Sequence, residues 1–265
     1  FLENIAVRST SDVLVTSVMS PSLHTLNPTT INGTLDIVHT FDNSTALTGI
    51  TEYQPGVFAV VASILNVTTR RTAPGSVVIW SVDFNPAVPA VKKICSLPDL
   101  LGANGISSFP DQPDTLLFAD SDAGAVWQIN ARTGATRLAI QDPAMVPGAP
   151  APALGINGLH AHDGFLYFSN SQLGTFSRVL LAVKDGVVKA ARNVEALTTI
   201  QPSGAGHAYD DFAIDSHGRA WVTAHPGALS LLFPARNGSW SQLNAVGNPN
   251  GLPSVLIQPT SAAFG

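Results

Sequence analysis

The sequence predicts an all-β fold, a six-bladed β-propeller whose blades are four-stranded antiparallel sheets. Short apolar runs are separated by turn residues, a motif returns about every 50 residues, and charged residues are scarce. Only 12% of the 265 residues are charged, whereas the chain contains 22 Gly and 19 Pro. Globular proteins average about a quarter charged residues. The composition is therefore typical of short strands joined by many turns.

Residues 155–179 contain the clearest strand–turn–strand pattern. The stretch opens with Asn157-Gly158-Leu159, is interrupted at His162-Asp163-Gly164 and continues into the apolar run Phe165–Phe168. Asp-Gly between two apolar runs is a strong hairpin signal, because both residues tolerate a positive φ. After a break at Gly174, another apolar run begins. The stretch predicts three consecutive antiparallel strands.

The same pattern recurs along the chain, and each copy opens with a polar residue that we call the lead residue. The spacings between successive copies are about 45, 56, 53, 53 and 50 residues. They predict one domain over 1–265, with blades near 1–40, 41–90, 96–141, 153–197 and 207–246 and an incomplete sixth blade in 255–265, whose terminal strands we expect to be missing from the sequence. The lead residues are Glu3, Thr48, Asn104, Asn157, Asp210 and Thr260.

Individual strands and loops follow from local patterns. In blade one, strands are predicted near Glu3–Arg8, Asp12–Val18 and Ser22–Asn27, and Gly75–Val82 is the expected third strand of blade two. Two segments, 145–154 and 201–208, are too rich in Pro and Gly for a helix or a ladder. We predict that they are surface loops on the face that carries the lead residues.

Charge and apolar patterning argue against two classes of partner. The net charge is −5, and basic residues cluster only at Arg70-Arg71 and Lys92-Lys93, which disfavours nucleic acid binding. No apolar run approaches the ~18 residues of a membrane span. Cys95 is alone, so we expect a buried small apolar residue rather than a disulfide.

Four N-glycosylation sequons suggest passage through the secretory pathway. They lie in turn-like segments, where a glycan can be accommodated. The chain starts at Phe1 without Met, which is consistent with a signal peptide that was removed or omitted. We therefore expect a secreted glycoprotein, and the sequence leaves its oligomeric state open. The sequons begin at Asn32, Asn43, Asn66 and Asn237.

The lead residues are expected to meet in a ring at one mouth of the central channel. The innermost strands of a propeller run side by side around the axis, so residues in the same register come together. Two carboxylates and two amides in such a ring suit a hard cation. Alternatively, these groups only bond neighbouring loops where each strand begins.

The ring residues carry a resemblance to known propellers. Glu3, Asn104, Asn157-Gly158-Leu159 and Asp210 with Ile214-Asp215 resemble the gluconolactonase/senescence-marker-like and paraoxonase-like families, which are six-bladed. The resemblance implies a divalent-metal set of Glu3, Asn104, Asn157 and Asp210, with Asp211 as a further ligand in paraoxonase-like members. Gly102 stands where the sugar-lactonase branch has an Arg, so recognition of a sugar lactone is not implied.

Four other segments are similar to secreted fungal members of this superfamily. They are Phe1–Arg8, Ser20–Leu23, Tyr209–Asp215 and Pro259–Gly265. Some of those fungal proteins are hetero-Diels–Alderases of tropolone–sesquiterpenoid pathways. The resemblance implies an enzyme of fungal secondary metabolism that joins a tropolone o-quinone methide to a humulene-type alkene without a cofactor.

A cyclase of this kind holds two reactants in a near-attack geometry and places donors on the oxygen that gains charge. For that chemistry we predict Asn157, Tyr209 and Asn104 as catalytic residues. The expected substrate-binding residues are polar ring or rim groups and two apolar rim side chains: Glu3, Thr48, Asn170, Ser171, Asp210, Asp211, His225, Met19, Leu173 and Thr260.

Two further functions remain open at this stage. A Ca²⁺-dependent lactonase or esterase would use the metal set to polarise a carbonyl, with Asp211 or one of the mouth histidines, His207 and His225, as base. A non-catalytic propeller would bind a small molecule through the same mouth. The sequence has no G-x-S-x-G, H-E-x-x-H or P-loop motif that would indicate other chemistry.

Overall fold

The computed structural model describes residues 1–30, 33–110, 112–149, 152–251 and 253–265. These residues form an all-β propeller of antiparallel four-stranded blades, with one short 3-10 helix at Pro143–Met145. Blade one contains β1 (Leu2–Val7), β2 (Val13–Ser17), β3 (Ser22–Leu26) and β4 (Asp36–Thr40). Blade two contains β5 (Ala46–Gln54), β6 (Val57–Ser63), β9 (Val77–Asp83) and β10 (Ala90–Leu97), with a small hairpin of β7 (Leu65–Asn66) and β8 (Arg71–Thr72) inserted after β6.

The remaining three blades repeat this order from the axis outward. Blade three contains β11 (Ala103–Ser108), β12 (Thr115–Asp120), β13 (Ala125–Asn130) and β14 (Thr136–Gln141). Blade four contains β15 (Ile156–His162), β16 (Phe165–Asn170), β17 (Thr175–Lys184) and β19 (Glu195–Thr199), with β18 (Val187–Ala190) paired to the far end of β17. Blade five contains β20 (Ala208–Ile214), β21 (Ala220–His225), β22 (Ala228–Pro234) and β23 (Trp240–Gly247).

Apolar side chains bind each blade to the next. Every residue of β6 and of β12 is buried, whereas β14 near the rim is mostly exposed. Four core clusters join blades one and two, two and three, three and four, and four and five. Between the last pair, the Phe176 and Phe212 rings meet edge to face at 4.8 Å. Blade-to-blade packing, rather than any single sheet, therefore carries the hydrophobic core.

The hairpin predicted at Asp163-Gly164 is confirmed. It joins β15 to β16, and φ is 47° at Asp163 and 76° at Gly164. Two successive positive φ angles define the tight turn whose twist matches that of the flanking strands. Local sequence therefore sets the strand register of blade four.

Each innermost strand carries an irregularity at its lead residue. The register of pairing with the second strand shifts between Leu2 and Ile5, Leu47 and Ile50, Ala103 and Ile106, Ile156 and Leu159, and Tyr209 and Phe212. A bulge of this kind re-aims side chains locally. The repeated bulge turns the lead residues of all five blades toward one end of the channel.

Three of the bulges have glycine directly after the lead residue, and the adjacent blade explains why. A Cβ on Gly49 would lie 2.7 Å from the Asn104 carbonyl oxygen, and one on Gly105 would lie 2.7 Å from that of Asn157. A Cβ on Gly158 would lie 2.3 Å from Asp211 Oδ1. These distances are shorter than any real contact, so glycine is what lets successive inner strands approach.

The prediction of six blades is wrong, because the described residues form five. The described residues of the range 248–265 contribute no strand to any sheet. Pro249, Pro253 and Pro259 lack the N–H that a ladder requires, which disfavours strand pairing in this segment. The segment expected to open a sixth blade, 255–265, instead has no regular secondary structure.

This C-terminal segment bridges blade five to blade one. The Asp211 N–H donates to the Thr260 carbonyl at 2.9 Å, and Thr260 Oγ1 donates to the Leu2 carbonyl at 3.1 Å. Ser261 Oγ donates to Asn4 Oδ1 at 2.8 Å. Residues 260–261 therefore connect the inner strands of the first and last blades by hydrogen bonds.

The remaining sequence predictions concern the surface and the cysteine. Asn43 and Asn237 lie on exposed turns, Asn66 is exposed at the end of β7, and Asn32 lies outside the described residues. Cys95 is buried on β10, and this burial raises the pKa of its thiol to about 11. Within the described ranges, no helix has the length and apolar character needed to cross a bilayer.

Candidate functional site

A cavity of about 960 Å³ opens at the end of the channel where the five bulges lie. The lead residues of all five blades line it, so the structure brings together the ring expected from the repeat. Those five side chains belong to Glu3, Thr48, Asn104, Asn157 and Asp210. Because each is buried or nearly so, they form a polar floor at the base of the cavity.

The wall above this floor is largely apolar and comes from loops and strand ends. The 201–208 loop contributes residues 203–207, and the β7–β8 hairpin contributes Val67 and Arg70. A polar floor beneath an apolar wall is typical of a small-molecule site. The apolar lining side chains include Phe1, Val18, Leu65, Leu154, Leu173 and Ile200.

Asp210 and His225 form an ion pair on one side of the floor. The His225 Nε2 atom donates to Asp210 Oδ2 at 3.0 Å, and Nδ1 faces Gln258 Oε1. Burial alone would lower the pKa of His225, but the hydrogen bond and charge of Asp210 raise it overall. With oxygen acceptors at both ring nitrogens, His225 is suited to the doubly protonated imidazolium form.

The two ring amides differ in their freedom. Asn157 Nδ2 donates to Ser171 Oγ at 2.8 Å, and that hydroxyl donates to the Tyr209 carbonyl at 2.8 Å. The Asn104 side chain lines the cavity and makes no hydrogen bond with the described residues. Asn104 is therefore the floor amide that is available to a ligand.

Glu3 completes the floor, and its surroundings disfavour a negative charge. Burial raises the pKa of its carboxyl well above the ordinary value, and the nearby Asp210 and Asp211 carboxylates raise it further. The positive charge of Arg70 opposes this shift. Two carboxyl groups, Glu3 and Asp210, thus share a poorly solvated space.

Two residues predicted to act in the site are held inside the protein. Tyr209, expected to be catalytic, is fully buried, and its hydroxyl donates to Gln242 Oε1 at 2.8 Å. Asn170 is also fully buried and donates to the carbonyls of Ala144 and Val146 at 2.9 and 3.0 Å. Both predictions are corrected: Tyr209 belongs to the core between blades four and five, and Asn170 fastens the loop after the 3-10 helix.

Three further predicted substrate-binding residues do not line the cavity. Asp211 is buried, accepts a hydrogen bond from Ser261 Oγ at 3.2 Å and contacts His160 Nε2 at 3.0 Å. The Thr260 hydroxyl donates to the Leu2 carbonyl. The Met19 side chain lies outside the cavity and is 63% exposed. Ser171, Leu173 and His225 do line it, as does His207, whose Nε2 donates to the Pro249 carbonyl at 3.0 Å.

The placement of Tyr209 yields a prediction. Tyr209→Phe should lower the free energy of unfolding by about 1 kcal/mol, because it removes the bond to Gln242. It should leave turnover unchanged, since the ring does not reach the cavity. Urea denaturation and steady-state kinetics measure the two effects, and a variant of full stability with a reduced rate would contradict this assignment.

The structure also reveals cavity residues that the sequence patterns did not single out. Arg70 and Gln258 are the clearest examples, together with Gln172 and Thr199. They lie outside the series of lead residues, in the inserted hairpin, in loops or, for Thr199, at the end of the outer strand β19. The Arg70-Arg71 pair stands out in the sequence, but as a basic cluster it bears only on nucleic acid binding and does not indicate a cavity residue.

The chemistry of the floor fits a hard cation as well as an organic ligand. Ca²⁺ is bound by carboxylate and amide oxygens, which Glu3, Asp210, Asn104 and Asn157 supply. A cation would also favour the charged form of Glu3, whose pKa is raised first by burial and then by the nearby carboxylates. Among the described residues, no group of three or more His, Cys, Asp or Glu side chains is placed as a metal centre, so such a site would depend on the two amides.

Comparison with known proteins agrees with this fold. No family model matches the sequence. The chain is 26% identical over its whole length to a Phoma sp. protein named "Putative hetero-Diels-Alderase", of which the match covers 79%. Among solved structures, a "putative gluconolactonase" matches with a TM-score of 0.65 at 17% identity, over 100% of this chain and 81% of that one. A calcium-binding regucalcin from Agrobacterium tumefaciens matches with a TM-score of 0.60 at 16% identity, over 98% of this chain and 77% of that one.

Proposed function

We propose that this protein is a hetero-Diels–Alder cyclase, which joins a tropolone-derived o-quinone methide to a sesquiterpene alkene. The observation that carries the proposal is the cavity of about 960 Å³, whose polar floor lies beside many apolar lining side chains and a few further polar ones. A volume at the upper end of the usual ~300–1,000 Å³ for ligand pockets can hold two reactants together. The full-length similarity to the Phoma protein supports the same reaction class.

The proposed mechanism needs positioning rather than covalent chemistry. The apolar wall holds the alkene against the diene, which lowers the barrier by removing relative motion of the two reactants. One C–C and one C–O bond form together, and no proton or electron is transferred to the protein. The Asn104 amide donates to the oxygen of the quinone methide, where negative charge increases as the ring aromatises.

The floor also favours a second candidate, the hydrolysis of a lactone or ester assisted by a divalent cation. Glu3, Asn104, Asn157 and Asp210 would hold the ion, and the buried carboxyl groups of Glu3 and Asp210 are the specific observation in its favour. When bound, such an ion polarises a carbonyl and lowers the pKa of water. In the chain itself, His225 would orient the Asp210 carboxylate through their 3.0 Å contact.

One assay with two substrates distinguishes these candidates. The protein is dialysed with and without a Ca²⁺ chelator and then incubated with a quinone-methide precursor plus a humulene-type alkene, or with a panel of lactones. We expect cyclised product, with one stereoisomer enriched over the uncatalysed mixture, at the same rate in both preparations. Lactone hydrolysis that is lost on chelation and restored by Ca²⁺ would favour the second candidate instead.

Binding without any turnover would contradict both candidates and favour a ligand-binding propeller. Heat-denatured protein gives the background rate of the spontaneous reaction. Secretion and glycosylation belong to the same proposal, because a secreted form would carry glycans at the exposed Asn43, Asn66 or Asn237. A mass shift on treatment with an N-glycosidase, after expression in a fungal host, tests that part.

A further inference from the structure

The β7–β8 hairpin is fastened to blade three by one of its two consecutive arginines. The Arg71 guanidinium donates to Asp122 Oδ1 through Nε at 2.9 Å and through Nη2 at 2.7 Å. The next residue, Thr72, donates to the Leu101 carbonyl from its N–H at 2.9 Å and to the Leu100 carbonyl from its hydroxyl at 3.0 Å. The hairpin therefore has a fixed position at the cavity rim.

The other arginine, Arg70, has no such anchor. It lines the cavity, and it makes neither an ion pair nor a hydrogen bond with any residue that the structure describes. On the floor, the Asp210 carboxylate already pairs with His225, and the Glu3 carboxyl, on which the charge of Arg70 also acts, forms no ion pair with it in the described structure. A guanidinium presents five donors in a planar fork, and here they are open to a ligand.

The backbone at Arg70 is an unusual place for this residue. Its φ is 56°, in the left-handed region that Gly or Asn normally occupies in tight turns. Asn66 Oδ1 holds the turn by accepting from the N–H groups of Thr68 and Thr69 at 3.0 and 3.1 Å. The turn therefore places the Arg70 side chain at the cavity. The backbone of Arg70 has a conformation that glycine would adopt without strain.

The wall near this hairpin is apolar. Leu65 and Val67 lie in the same hairpin, and Leu154 and Leu173 line the cavity as well. A ligand that satisfies both surfaces has an apolar body with an anionic oxygen at one end. Two adjacent oxygens on a flat ring match the guanidinium fork best, because they accept two parallel hydrogen bonds.

We propose that Arg70 is a substrate-binding residue that selects an ionised ring with two vicinal oxygens, such as a tropolonate. The choice of ring system rests on the proposed function, whereas the requirement for an anionic oxygen rests on Arg70 itself. Arg70 would orient the oxygen-bearing reactant, so that its reactive carbon faces the apolar wall where the alkene binds.

Binding of two matched probes tests this proposal without any turnover. Tropolone, ionised at pH 8, and its neutral ether 2-methoxytropone are titrated calorimetrically into the wild type and into Arg70→Gln. We expect tropolone to bind the wild type and to lose at least about tenfold in affinity in the variant, as for a lost charge-assisted bond. Affinity for 2-methoxytropone should change less than about twofold.

Three variants serve as controls. Arg137→Gln removes the same charge from the exposed outer strand β14 and should leave both affinities unchanged. Arg70→Gly should lose tropolone binding while keeping or raising the melting temperature, since glycine accepts the left-handed φ. Arg70→Lys should retain part of the affinity, because one charge remains without the planar fork.

Two outcomes would overturn the assignment. One is an equal loss of affinity for both probes in Arg70→Gln, which would indicate a purely structural role. The other is no measurable binding of tropolone to the wild type. Failure of the cyclisation assay would leave this result intact, because a tropolonate-selective site that depends on Arg70 is measured by binding alone.

Discussion

Replacing Gly158 with alanine should lower the free energy of unfolding by about 2–4 kcal/mol, because the new methyl group has no space. Its Cβ would lie 2.3 Å from Asp211 Oδ1 and 2.7 Å from Asp211 Cα. The carboxylate can rotate only by giving up its contacts with His160 and Ser261, and the Cα can move only with strand β20. The substitution should therefore loosen the contact between blades four and five.

Urea denaturation followed by tryptophan fluorescence measures this loss. Gly186→Ala is the matched control, because it also adds one methyl group, at a φ of 73° with no neighbour within 4 Å. That variant should show only the backbone strain, about 1 kcal/mol. Equal losses in the two variants would mean that the inner strands can move apart freely, contrary to the packing at the bulges.

The glycines show which local structures can be predicted from sequence and which cannot. Asp163-Gly164 predicted a hairpin correctly because a two-residue turn is determined by its own residues. Asn104-Gly105 and Asn157-Gly158 are equally typical of turns, but they form bulges inside strands. Their glycines are explained by the backbone of the next blade, which no local pattern contains.

The ring of lead residues could be predicted because each copy of the repeated motif has its lead residue at the same position of the innermost strand. The role predicted for Tyr209 is wrong because this residue directly follows the predicted loop 201–208, whereas β20 already starts at Ala208. Once Tyr209 is in the strand beside Asp210, alternation sends the two side chains to opposite faces. Arg70 was missed for a different reason, since the β7–β8 hairpin is an insertion with no counterpart in the described part of the other blades.

The number of blades could not be read from the period alone. Thr260-Ser261 does continue the series of lead residues, and it does lie between blades five and one. A blade, however, also needs partner strands, and the described part of 248–265 forms no ladder. The motif thus predicted the position of the segment correctly but not its structure.

Asn104→Ala should slow cyclisation by about 100-fold or more, which is typical for the loss of a donor to a developing oxyanion. The Asn104 amide is the floor donor without a partner among the described residues, so a substrate oxygen competes with no internal bond. The fold should persist, because Thr48 Oγ1 bonds the backbone carbonyl of Asn104 at 3.2 Å and not its side chain. Substrate affinity should change little, since the bond strengthens mainly as charge develops.

Single-turnover kinetics separate these effects by measuring binding and the chemical step independently. Asn104→Asp keeps the size of the side chain but removes both N–H donors, so it should be as slow as Asn104→Ala. Asn157→Ala is the comparison at the other floor amide. It should slow the reaction less, because Nδ2 of Asn157 in the wild type already donates to Ser171. A weaker affinity with an unchanged chemical step in Asn104→Ala would mean that the amide only binds substrate and that positioning by the apolar wall accounts for catalysis.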